Sequence, residues 1–150
     1  MTHLAIISIL VPDQDEALRF YTEKLGLEKR ADIKYGPGLR WLTVTAKGQH
    51  KPQIALARPD AALHGESRTQ ELLERIGQSE PWIFATDDCR KTYEQLCSRG
   101  VKFLTTPTKQ IYGIEAVFED PYGNMFMLLE PAPEIKASPK PKDRKVGSAA

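Results

Sequence analysis

The chain carries one structural plan twice. Leu4 to Val11 is an apolar run interrupted only by Ser8, and a run of that kind reads as a strand buried on both faces. Asp13 and Glu16 follow at the spacing of a capping box, which opens a helix. Ala17, Phe20, Tyr21 and Leu25 recur at helical spacing before Gly26 supplies a stop. A weaker strand is expected over Glu28 to Ile33, then strands over Leu39 to Thr45 and Gln53 to Ala57, with a turn at Lys47 to His50 between the last two. The second half repeats this order. Trp82 to Thr86 is a strand and Asp87-Asp88 a cap; Tyr93, Leu96 and Cys97 form an apolar helix face before Gly100. Val101 to Leu104, Ile114 to Glu119 and Met125 to Leu129 complete the module. Capping aspartate and stop glycine are thirteen residues apart in the first copy and twelve in the second. A repeat at this level fixes architecture more firmly than a single motif can.

The expected organisation is one domain over 1–131. Module one covers about 4–60, a connecting helix about 66–77, and module two about 80–131. Within the connector, Leu72, Leu73 and Ile76 share a side. The remainder, 132–150, has no aromatic residue and holds five basic residues against two acidic ones. It reads as a solvated Pro- and Lys-rich tail with too little to bury.

Composition narrows the partners. A hydrophobic content of 41% with 27% charged residues suits an ordinary globular chain. A net charge of +1 gives no electrostatic reason to expect nucleic acid or an acidic membrane. No apolar run reaches the roughly 18 residues of a spanning helix. The first residues lack a basic signal-peptide segment, so a cytoplasmic location is expected. Cys89 and Cys97 lie eight residues apart on one expected helix. That is about 12 Å, too far for a disulfide within the helix.

Val11-Pro12-Asp13, Ala17 to Tyr21 and Leu25-Gly26-Leu27 together resemble the opening module of the vicinal-oxygen-chelate superfamily. Phe118 to Asn124, with Asp120-Pro121-Tyr122-Gly123 at its centre, is similar to that family's closing hairpin. Pro121 presets φ for the turn, and Gly123 and Asn124 tolerate left-handed backbone. The resemblance covers about residues 4 to 131. It implies an α+β fold: two βαβββ modules forming a cupped, eight-stranded mixed sheet, the glyoxalase/bleomycin-resistance fold. Relatives include glyoxalase I, extradiol dioxygenases, an epimerase and fosfomycin-resistance transferases, all chelating substrate oxygens on a metal. Others bind a drug without metal, so the site must decide the function.

Carrying the family's four metal-ligand positions onto this chain gives Ile6, Gln53, Pro81 and Met127. A divalent catalytic site takes about three ligands from His, Asp, Glu or Cys, and this set supplies none. His3 has the wrong strand parity, and His50 and His64 fall in expected turns. No metal and no other cofactor is therefore expected.

Strand parity then assigns a lining. Ser8, Trp41, Thr43, Gln53, Ala55 and Ala57 face the cup from module one. Ile83, Ala85, Met127 and Leu129 face it from module two, and Tyr112 and Glu115 stand at a position where relatives often contact ligand. The family position of Glu115 is frequently basic, so an acid there disfavours an anionic ligand. Each residue also has a structural alternative: Trp41 as core or interface, Gln53 as a satisfied amide, Tyr112 and Glu115 as rim residues. Arg40 turns away from the cup by parity and reads as a solvated or interface residue.

The leading expectation is metal-independent binding of a small, largely apolar organic molecule, for resistance or sequestration. One alternative is a metal-free lyase, isomerase or hydrolase with Glu115 as base and Tyr112 as donor. Another is a glyoxalase- or dioxygenase-type metal enzyme with displaced ligands. A homodimer is expected as well, because an open apolar sheet leaves edges to cover.

Overall fold

A computed structural model describes residues 1–136. Module one contributes β1 (Ile6–Leu10), α1 (Gln14–Arg19), β2 (Glu28–Tyr35), β3 (Leu39–Thr45) and β4 (Gln53–Ala57). A connector follows with α2 (Ala61–His64) and α3 (Glu66–Arg75). Module two contributes β5 (Trp82–Ala85), α4 (Cys89–Ser98), β6 (Lys102–Phe103), β7 (Thr108–Gln110), β8 (Gly113–Glu119) and β9 (Met125–Pro131), and α5 (Pro133–Lys136) ends the described chain. The first sheet runs β1-β4-β3-β2 and the second β5-β9-β8-β6, with β7 pairing β8. In each, the leading strand pairs in parallel with the last strand of its own module: Ser8 lies opposite Ala55, and Ile83 opposite Met127. This is an α+β fold of two repeated modules.

The helix starts follow their caps. Asp13 accepts the Glu16 N–H at 2.9 Å, and Asp88 accepts the Lys91 N–H at 3.0 Å. Past Arg19 the first helix widens into a π turn over Phe20–Lys24, closed by the Leu25 N–H on the Phe20 carbonyl at 3.2 Å. The turn sends both Phe20 and Tyr21 into the core. There Tyr21 meets Phe126 edge-on, with ring centroids 6.0 Å apart, and Phe126 stacks on Phe118 at 5.4 Å. Burying each such ring contributes roughly 1.5–3 kcal/mol. One core therefore holds both modules, with Ile9, Ala17 and Leu56 from the first and Leu96, Ala116 and Leu128 from the second.

Polar bonds fix the same junction. The Asn124 amide donates to the Leu10 carbonyl at 3.0 Å, and its Oδ1 accepts the Gly77 N–H at 3.0 Å. Gly77 has φ +79°, and a Cβ there would sit 2.7 Å from the Tyr122 carbonyl oxygen. Only glycine lets the connector close this tightly on the hairpin.

Several details depart from the sequence reading. Strand β1 is not buried on both faces: Ile9 is buried while Ser8 is exposed. Strand β2 runs two residues past Ile33, and α2 and β7 are additional elements. The stretch expected as a tail from Ala132 begins with the turn of α5, where Lys136 Nζ meets Asp87 at 3.0 Å. The rest of that stretch, 137–150, lies outside the described residues.

Candidate functional site

The face of the first sheet that carries Ser8 is open. Strands β2 and β3 pair with Ile33 opposite Trp41 and Tyr35 opposite Leu39. Tyr35 is thus the diagonal neighbour of Trp41 on one face, a separation of about 7–8 Å between backbones. Beside them, Ser8, Ala55 and Ala57 form the floor of a concavity of about 150 Å³, walled by Leu63 and His64 of α2. The small floor residues leave room that the two aromatic rings border. Trp41 is 41% exposed and Ile33 58%, so this apolar surface faces outward.

At one end the concavity is held by charge. Arg40 grips Asp32 with Nε at 2.7 Å and Nη2 at 2.9 Å, and Asp15 with Nη1 at 2.6 Å. Arg40 is therefore clamped between two carboxylates rather than free in solvent. Its hydrogen bonds hold the Asp32 carboxyl down at about 2. Gln14 adds bonds from its amide to the Arg40 and Leu56 carbonyls at 3.1 and 2.8 Å, which ties α1 to the two central strands, β3 and β4. At the other side, Arg58 pairs with Asp60 at 2.8 Å.

Thr43 and Gln53 lie on this sheet but not in the concavity. The Thr43 hydroxyl donates to Gln53 Oε1 at 2.7 Å and accepts the Ala31 N–H at 3.1 Å. Thr43 is completely buried. These bonds engage the Thr43 hydroxyl and the Gln53 amide oxygen within the fold.

The remaining expected site residues sit on the second sheet. Tyr112 donates its hydroxyl to Glu115 Oε2 at 2.6 Å, and both are half-buried. That bond raises the Tyr112 phenol, since losing its proton would set two negative charges together. Glu115 lies opposite Leu129, and Val117 opposite Met127, which itself pairs with Ile83. Ile83 is 59% exposed. The second sheet thus presents its own open apolar face, with Glu115 toward one end of β8 and Glu119, paired with Lys102, toward the other. Within one chain the module-one concavity does not include Tyr112, Glu115 or Met127.

The positions that hold metal in metal-dependent relatives do not form a donor set. Ile6 pairs with Gln53, Gln53 is engaged by Thr43, and Met127 lies between Ile83 and Val117. Among the described residues no three His, Cys, Asp or Glu side chains converge. These residues do not fit a divalent ion.

Tyr35, Leu63 and His64 were missed by sequence reasoning. Tyr35 keeps the parity of Ile33 and precedes the Gly36-Pro37-Gly38 turn, a signal that β2 continues that far. Leu63 and His64 follow Asp60, whose side chain caps α2 through the Ala62 N–H at 2.8 Å.

Comparison with known proteins agrees with this architecture. The model of the Glyoxalase/Bleomycin resistance protein/Dioxygenase superfamily matches residues 2–128. The uncharacterised protein YurT of Bacillus subtilis (strain 168) is 32% identical over 127 residues, covering 85% of this chain and 98% of its own. The crystal structure of UcmS2 superposes with a TM-score of 0.78 at 37% identity, covering 87% of this chain and 98% of its own. That of TnmS3, an antibiotic binding protein from Streptomyces sp. CB03234, gives 0.71 at 29% identity, covering 88% and 98%. No described helix is long and apolar enough to cross a membrane. With the family match running from the first strand into the last, this chain belongs to the glyoxalase/bleomycin resistance protein/dioxygenase superfamily.

Proposed function

We propose that this protein binds a small, largely apolar, planar or amphipathic organic molecule without a metal ion, and acts by sequestering it. The observation that carries the reading is the module-one concavity, where Tyr35 and Trp41 border a floor of Ser8, Ala55 and Ala57. Mixed apolar and sparse polar lining of this kind suits an organic ligand. The antibiotic-binding relative TnmS3 supports the same reading.

The site is completed by a second copy of the chain. Ile33, Trp41 and Ile83 expose apolar surface from the two sheet faces, and pairing two chains would set the Trp41 half against the Glu115 half. Sedimentation should give a dimer mass that dissociates on dilution.

The test of binding uses Trp82→Phe, which leaves Trp41 as the single indole of a chain with two tryptophans. Acridine should quench its fluorescence saturably, with the same curve before and after exhaustive chelation. Absence of saturable quenching, or its loss on chelation, contradicts the reading. A second reading rests on the 2.6 Å bond between Tyr112 and Glu115. Glu115 would be the base of a metal-free lyase, isomerase or hydrolase, with Tyr112 returning the proton. Turnover lost in Glu115→Gln, with a neutral substrate still bound, marks that case.

A further inference from the structure

We propose that the ligand carries a positive charge next to its apolar body, and that Glu115 selects it. The inference rests on the binding reading above and names the class of molecule that the site takes.

Among the described residues the Glu115 carboxylate, like those of Asp120 and Glu130, has no paired cation. Asp15, Asp32, Glu28, Asp60, Glu71 and Glu119 each have a lysine or arginine nitrogen within 3.5 Å. Among the described residues, no such cation lies within 4.0 Å of Glu115. Its neighbours on β6, β7 and β9 explain why. Lys109 and Glu130 both pair with Ile114, so strand alternation turns them to the opposite face. Glu130 is occupied there by the Cys89 N–H at 3.0 Å. Lys102 is committed to Glu119 at 2.7 Å. On its own face Glu115 meets Leu129 and Thr108 across the sheet and Val117 two residues along.

Among the described residues the one polar side chain holding Glu115 is Tyr112, and it holds a single oxygen. The Tyr112 hydroxyl donates to Oε2, which fixes the carboxylate, and among the described residues no protein donor reaches Oε1. Covering such a carboxylate with an apolar surface strips its hydration, which is unfavourable unless an opposite charge arrives with the cover. A neutral ligand or an anion brings no compensation. A protonated amine does, through a charge-assisted hydrogen bond to the free oxygen. The aromatic pair Tyr35 and Trp41 on the other half would favour the same charge through their ring faces. A planar cation therefore satisfies both halves, whereas a neutral planar molecule satisfies only one.

Acridine and proflavine separate the two claims, because they share a planar frame while proflavine is cationic near neutral pH. The parent protein should bind proflavine about tenfold more tightly than acridine, equivalent to about 1.4 kcal/mol. Glu115→Gln should bring the two within about twofold, chiefly by weakening proflavine. A thermal melt of the variant that matches the parent shows that it is folded. Equal affinity of the parent for both probes overturns the charge selection while leaving the binding reading in place. So does a proflavine preference that survives Glu115→Gln, and it would point to another acid. Binding of neither probe removes the selection together with the reading beneath it.

Discussion

Tyr21 and Asp120, 99 residues apart in sequence, share a buried hydrogen bond of 2.7 Å from the phenol to Oδ2. The bond ties the π turn of module one to the closing hairpin of module two. Asp120 also receives the Asn124 amide at 2.8 Å and the backbone N–H groups of Tyr122 and Asn124 at 2.9 Å. Burial first, and then the carboxylate beside it, pushes the Tyr21 phenol well above its ordinary range. It therefore remains a donor at all working pH values.

Tyr21→Phe removes one donor to a buried carboxylate and keeps the ring that packs on Phe126. The expected cost is about 1.5–3 kcal/mol of unfolding free energy, read from urea denaturation. Asp120→Ala should cost more, because it leaves the Tyr21 hydroxyl and the hairpin N–H groups without their acceptor. A Tyr21→Phe variant as stable as the parent would show that this hydrogen bond adds nothing to the joining of the modules.

Asp32 supplies a pH signature. Its carboxyl is lowered from 3.8 to about 2 by the Arg40 hydrogen bonds. A depressed carboxylate stabilises the fold fully above its unfolded value, and loses that contribution as pH falls through the folded one. The contribution should fade between about pH 4 and pH 2. Asp32→Asn lacks it throughout. The melting temperatures of parent and variant should therefore differ at neutral pH and converge in that acid window. A constant difference would mean that Arg40 gains nothing from this carboxylate. The Asp32 side chain is 25% exposed, so the gap should shrink with added salt as well.

Trp41→Ala should weaken acridine by about tenfold or more. An aromatic stack adds roughly 0.5–1.5 kcal/mol beyond area burial, and the area is lost too. At 41% exposure Trp41 contributes little to the core, so the melting temperature should move by only a few degrees. A calorimetric titration on both proteins checks the first expectation, and a thermal melt the second. Affinity unchanged in the variant would move the site away from this concavity.

Local chemistry made much of this fold legible. Strands β3 and β4 match their expected bounds because alternating and β-branched residues end at turn residues on either side. Helices α1 and α4 start where Asp13 and Asp88 cap them. The π turn left no such mark, since its extra residue is set by where Phe20 and Tyr21 reach the core of the other module. Parity put Ser8 and Trp41 on one face, yet it could not separate Trp41 from Thr43. The difference lies in the Gln53 and Ala31 bonds that seal Thr43 inside. Nor could parity show that the Trp41 and Glu115 faces form separate surfaces in one chain. That depends on how the modules pack, which long-range bonds such as Tyr21 to Asp120 determine.

In the proposed arrangement the Trp41 half and the Glu115 half make one cup for one organic ligand. Amide chemical-shift mapping during an acridine titration tests it most directly. Concerted shifts are expected at Ser8, Trp41 and Ala55 together with Glu115, Met127 and Leu129, all saturating at one acridine concentration. Shifts confined to one half would contradict the shared cup. Shifts centred on the crevice of Leu25, Leu27 and Phe84 would contradict its location.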